Sequence, residues 1–121
     1  MGVGFFVGDE YQAGASFNYG SFSRFRRELA AHEGFDLGDM QGFGGQQLPW
    51  RGIRTPLRPL LHHADDTGRI GPRNCARVAA RLREVIPEIY PYASDGRRLR
   101  AEALALAMER AAERGTPLIF S

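Results

Sequence analysis

The sequence predicts an α+β fold, mostly helical with about four helices, whose small sheet comes from an N-terminal hairpin and the C-terminal strand. Three observations point there. The two ends carry short apolar runs bounded by glycine or proline, VGFFV at residues 3–7 and PLIF at residues 117–120, as buried strands do. Between them lie segments whose apolar residues recur three and four apart, the period of an amphipathic helix. The pairs Thr55-Pro56 and Gly71-Pro72 place proline at the first position of a helix, where its missing N–H costs nothing. With 121 residues, no repeat and no linker, the chain reads as a single domain over 1–121 that buries its own core.

The elements follow in order. After the first strand the polar turn GDEYQAG leads into ASFNY, where Phe17 and Tyr19 alternate with Ser16 and Asn18, so a hairpin is expected. Ser21 or Ser23 is the expected N-cap of a helix with Phe22, Phe25 and Leu29 inside, Arg24, Arg27 and Glu28 outside, and Gly34 as its stop. Residues 34–54 hold six glycines and no helical period, which makes them a long loop. Phe35, Leu37, Met40, Phe43, Leu48 and Trp50 give that loop enough apolar surface to pack back on the core. Thr55 should then cap a short helix running to about His63, with Pro59 harmless in its first turn.

The clearest helix opens at Pro72, with Cys75, Val78, Ala79, Leu82, Val85, Ile86 and Ile89 on one face, and Pro87 is expected to end or kink it. Ser94 or Asp95 should cap the last helix, which runs through LRAEALALAMERAAER to Gly115. Its apolar stripe is wide, as in a helix buried on more than one side.

Composition narrows the function classes. No apolar run approaches a membrane span, and the N-terminus lacks the basic start of a signal peptide, so a cytoplasmic protein with no membrane partner is expected. Phe6 occupies the position where an acylated Met-Gly start needs Ser or Thr. Cys75 is the single cysteine and lies on a core-facing helix position, which implies packing rather than a disulfide or a nucleophile. The net charge of +2 does not by itself mark a nucleic-acid binder. All 16 basic residues are Arg, a bias that a GC-rich coding sequence explains together with the abundant Ala and Gly.

The stretch LLHHADDTGRIGPRNC, residues 60–75, comes nearest to a named chemistry. With Gly68 at the sixth position of an EF-hand loop, Ile70 falls at the eighth, Asp65 at the third, Thr67 at the fifth, Asn74 at the twelfth and His63 at the first. The first acid and the closing bidentate Glu are missing, so calcium would bind at about 10⁻³ M or more weakly. A zinc set from His62, His63, Asp65 and Cys75 needs ligands that converge, and adjacent histidines diverge. The preferred reading is a turn with Gly68 at positive φ and Ile70 plugging the core.

The run YGSFSRFRREL, then DMQGFGG, then PLLHHADDTGRIGPRNCARVAARL, then ALAMERAAERGTPLIF resembles a family of small proteins of actinobacteria and their phages. The resemblance covers most of the chain and implies the same element order and a small domain. In that family the loop is more acidic and EF-hand-like, with Asp where this chain has Thr67, and no activity is assigned to it.

Three further groups are candidates. Arg73, Arg77 and Arg81 share one ridge of the best-defined helix and could track phosphates, with Arg97, Arg98 and Arg100 beside them. Glu84, Glu88, Glu102, Glu109 and Glu113 would dilute that field. The GFGG at 42–45 lacks the Lys-Ser/Thr of a phosphate loop, and His32 has no triad partners at a recognisable spacing. A non-enzymatic protein-interaction or regulatory domain without a cofactor is therefore expected. Its partner would be another protein, bound through Trp50, Arg51 and Phe43 of the long loop. The alternatives are nucleic acid at the Arg ridge and a weak metal site at His63, Asp65, Thr67 and Asn74.

Overall fold

The computed structural model describes residues 2–63 and 68–121. Strands β1 (Gly2–Val7) and β2 (Ala15–Asn18) form the expected hairpin, with Val3 opposite Phe17 and Phe5 opposite Ala15. The C-terminal strand β4 (Leu118–Phe120) pairs antiparallel with β1, placing Phe120 opposite Phe5. The two ends of the chain thus close one sheet. An edge strand, β3 (Gly68–Ile70), joins the far side of β4, giving the order β2-β1-β4-β3. The loop reading of 68–70 missed it, because three residues with one apolar position are too few to show a strand period. Ile70 is buried as expected, opposite Leu118, and Gly68 has φ of +122°.

Burial alternates along the strands. Val3, Phe5, Val7, Ala15, Phe17, Ile70, Leu118 and Phe120 point to one face, where the helices cover them. Phe5 lies at the centre, edge-on to Phe17, Phe22 and Phe120 with ring centroids 5.9, 5.3 and 4.7 Å away.

Helix α1 (Tyr19–His32) starts earlier than a Ser cap would allow. Asn18 ends β2 and accepts the Ser21 N–H at 2.7 Å, so strand and helix meet at one residue. Gly34 stops the helix at φ of +92°. Helix α2 (Arg58–Leu61) is a single turn, shorter than expected. The Thr55 hydroxyl accepts the Leu57 N–H at 3.1 Å, and this closed side-chain turn takes up the first residues of the predicted helix.

Helix α3 (Pro72–Ile89) runs two residues past Pro87 rather than stopping there. Pro87 lies on the exposed face of the helix, as does Arg83, whose carbonyl loses its intrahelical partner there. Helix α4 (Gly96–Arg114) is capped by Asp95, whose carboxylate accepts the Arg97 N–H, and ends at Gly115 with φ of +64°. It buries Ala101, Leu104, Ala105, Ala107, Met108 and Ala111 between α3 and the sheet. Glu10 in the hairpin turn binds Arg110 at 2.6 Å and also Arg114, tying hairpin to helix. No helix among the described residues is long and apolar enough to cross a membrane.

Candidate functional site

The long loop turns inward. Leu37, Met40 and Trp50 are buried, and the Trp50 indole donates to the Gln41 carbonyl at 3.0 Å. Phe35 and Phe43 pack on the indole edge, and the His62 ring stacks on its face, centroids 4.4 Å apart and planes 10° from parallel. Trp50, at 3% exposure, is therefore an anchor of the loop and not a displayed side chain. Phe43 is partly buried, and the Arg26 guanidinium lies 5.4 Å from its ring centroid. Of the three loop residues expected to meet a partner, Arg51 alone is fully on the surface.

Arg26 itself is 3% exposed, although its position in FSRFRREL reads as one more surface arginine. Its Nη2 donates to the carbonyls of Leu61 and His63 at 2.5 and 2.7 Å, and its guanidinium also lies over Phe22. The chain leaving α2 is thus held from inside by α1. His63 stacks on Phe120 at 4.2 Å, and its Nε2 lies 3.2 Å from the Arg69 carbonyl. Cys75 donates its thiol to the Ile70 carbonyl at 3.4 Å, and burial pushes the thiol up to about 11. His63 therefore faces the core and Cys75 is spent on the loop exit. Asp65 and Thr67 lie outside the described residues. Asn74 sits exposed in the first turn of α3.

The Arg ridge divides. Arg81 is neutralised by Glu33, with Nε and Nη2 each 2.8 Å from a carboxylate oxygen, and by Glu84 at 3.4 Å. Arg73 and Arg77 are exposed and carry no ion pair among the described residues. The other three Arg candidates are also engaged or remote. Arg97 binds Asp95 and covers Tyr90, Arg98 binds Glu102, and Arg100 lines a separate crevice with Arg24 and Glu28.

Two clefts meet along Thr55 and Pro56. One, of about 430 Å³, is lined by Glu33, Arg54, Arg81 and Glu84, so it holds acid and base together. The other, of about 360 Å³, lies between α2 and α3 and is lined by Arg58, His62, Asn74 and Arg77, with Thr55, Pro56 and Pro59. No acidic residue lines it among the described residues. Partial burial, then the charges of Arg58, Arg26 and His63, lower the pKa of His62 below its ordinary value. Sequence reasoning reached Arg77 and Asn74, took His62 only as a possible zinc ligand, and missed Arg58 one turn before it. Their four-residue spacing in RPLLH was a usable signal, obscured by the metal-like pattern that follows it.

Comparison of the chain with known protein families, with characterised proteins and with solved structures finds no match.

Proposed function

We propose that the protein is a small non-enzymatic interaction domain, acting in the cytoplasm, which docks on an acidic partner protein through the surface around the α2–α3 cleft. One observation carries this reading. Arg81, Arg83, Arg97, Arg98, Arg110 and Arg114 each have a carboxylate partner, whereas Arg51, Arg54, Arg58, Arg69, Arg73 and Arg77 have none among the described residues. Among the described residues, surface arginines without a carboxylate partner are thus most frequent in 51–77, with Arg24, Arg27 and Arg100 the others outside it, and Arg is the basic residue best suited to interfaces. The resemblance to actinobacterial and phage proteins favours a phage or mobile-element setting.

Nucleic acid is the second reading, favoured by Arg73 and Arg77 standing one turn apart on α3. Neutralisation of Arg81 and a net charge of only +2 weigh against a long phosphate track. Affinity capture from the host with wild type and R73E/R77E, quantified by mass spectrometry, runs beside titration of a mixed-sequence DNA duplex. The proposal expects an acidic protein that is captured by wild type and lost by the variant, with DNA binding that is weak and salt-sensitive. Submicromolar DNA binding at physiological salt, abolished in R73E/R77E, would put nucleic acid in its place.

A further inference from the structure

The protein uses its arginines in two ways. Where a surface Arg ties elements together, a carboxylate faces it, as Glu33 and Glu84 face Arg81, Glu109 faces Arg83 and Glu10 faces Arg110. In the α2–α3 cleft Arg58 and Arg77 come from different elements, line one concavity of about 360 Å³, and meet no acid there among the described residues. Thr55 and Asn74 add neutral hydrogen-bonding groups to the wall, and His62 is braced by the buried Trp50. The charge of such a wall calls for an anion.

We propose that the cleft walled by Arg58, His62, Asn74 and Arg77 binds a single phosphate monoester. This rests on the reading of the protein as a docking domain for an acidic partner, and it names the group on that partner which the cleft takes. Charge and extent decide the class. Two guanidinium groups match the charge of about −1.5 to −2 on a monoester at neutral pH, and their planar forks suit its three terminal oxygens. A phosphodiester supplies only about one charge per phosphate and comes in a row. The row cannot continue toward Arg81, which is already matched by Glu33, and Arg73, one turn the other way, does not line the cleft.

Trp50 is the single tryptophan and lies flat against His62, so its fluorescence reports on the cleft wall. The full chain is titrated with inorganic phosphate, glucose 6-phosphate, a phosphoserine pentapeptide and its unphosphorylated form. Tryptophan emission and the amide shifts of Asn74 and Arg77 are followed. The expected result is saturable binding of inorganic phosphate, weakened at least tenfold in R58Q/R77Q and unchanged in R24Q/R100Q, which removes two charges from a different crevice. Tighter binding of the phosphopeptide than of glucose 6-phosphate identifies a protein-borne group, and the reverse a small-molecule monoester. No saturation up to 50 mM phosphate, or equal weakening in both double variants at an unchanged thermal midpoint, overturns the site. Should partner capture depend on Arg73 and Arg77 while phosphate fails to bind, the docking reading stands and this inference falls. Phosphate binding with no captured partner does the reverse, upholding the anion site and removing the docking reading.

Discussion

Arg81 of α3 and Glu33 at the end of α1 meet fork to fork, Nε on Oε1 and Nη2 on Oε2, both at 2.8 Å. The Thr55 hydroxyl donates to the same Oε1 at 2.8 Å. One carboxylate thus fastens α1, α3 and the turn that leads into α2. Bidentate charge-assisted pairs of this kind are the strong ones, and the Glu33 side chain is only 8% exposed. The pair also fixes where the cationic surface stops, since it removes Arg81 from the ridge it shares with Arg73 and Arg77.

Acid should release this fastening. The hydrogen bond from Arg81 is the main cause that holds the Glu33 carboxyl down to about 2, against an ordinary value of 4.5. A group whose folded pKa is lowered contributes stability above its unfolded value and loses that contribution as pH falls toward the folded one. Urea unfolding should therefore weaken from about pH 4.5 down toward pH 2 in wild type. Glu33→Gln should lose about 2 kcal/mol at pH 7 and show a shallower decline below pH 4.5. Parallel pH profiles for the two proteins would assign the acid sensitivity to other carboxylates.

Trp50 separates scaffold from surface. With its ring buried against Phe35, Phe43 and His62, truncation leaves a cavity, and Trp50→Ala should cost about 3 to 5 kcal/mol in urea unfolding. Trp50→Phe keeps part of the packing but strands the Gln41 carbonyl that the indole satisfied. It should fall between wild type and Trp50→Ala. A loss below 1 kcal/mol for Trp50→Ala would mean that the loop does not depend on this anchor.

How much of this was legible in the sequence depends on the range of the interaction. The strand ends, α3, α4 and the stops at Gly34 and Gly115 rest on local signals of period and capping, and the structure has them. The order of Asn18 and Ser21 as caps turned on where β2 ends, which is a pairing with β1 and not a local property. Long-range contacts stayed hidden. Arg26 reaches Leu61 and His63, 35 and 37 residues away, and Glu33 reaches Arg81 across 48, so neither burial nor pairing shows in the residues beside them. The cleft was half visible for the same reason. Its α3 wall belongs to a strongly periodic helix, while its α2 wall comes from a single turn that carries almost no period.

Arg26 tests whether the chain leaving α2 is held from inside. Arg26→Met keeps the apolar stem between Phe22 and Phe43 but removes the donors to the Leu61 and His63 carbonyls. Leaving two partly buried carbonyls unserved should cost about 2 to 4 kcal/mol. Amide exchange should rise first at His62, His63 and Gly68 to Ile70 rather than in α4. Uniform loss of protection would place Arg26 in the global core instead of at this local fastening.

Calcium tests the ligand pattern that the sequence carries over residues 63–74. His63, at the first ligand position, is stacked on Phe120, and Asn74, at the last, brings a neutral amide where a bidentate carboxylate is needed. A dissociation constant of about 1 mM predicts stabilisation of about 0.06 kcal/mol at 0.1 mM calcium and about 0.4 kcal/mol at 1 mM. For a domain of this size those correspond to thermal midpoint shifts of about 0.3 °C and about 2 °C. A rise of several degrees at 0.1 mM would require a dissociation constant of about 20 μM, which this ligand set cannot supply. Such a rise, abolished in Asp65→Ala, would make the segment an ion site; a midpoint that holds at 0.1 mM in both proteins rules the ion site out.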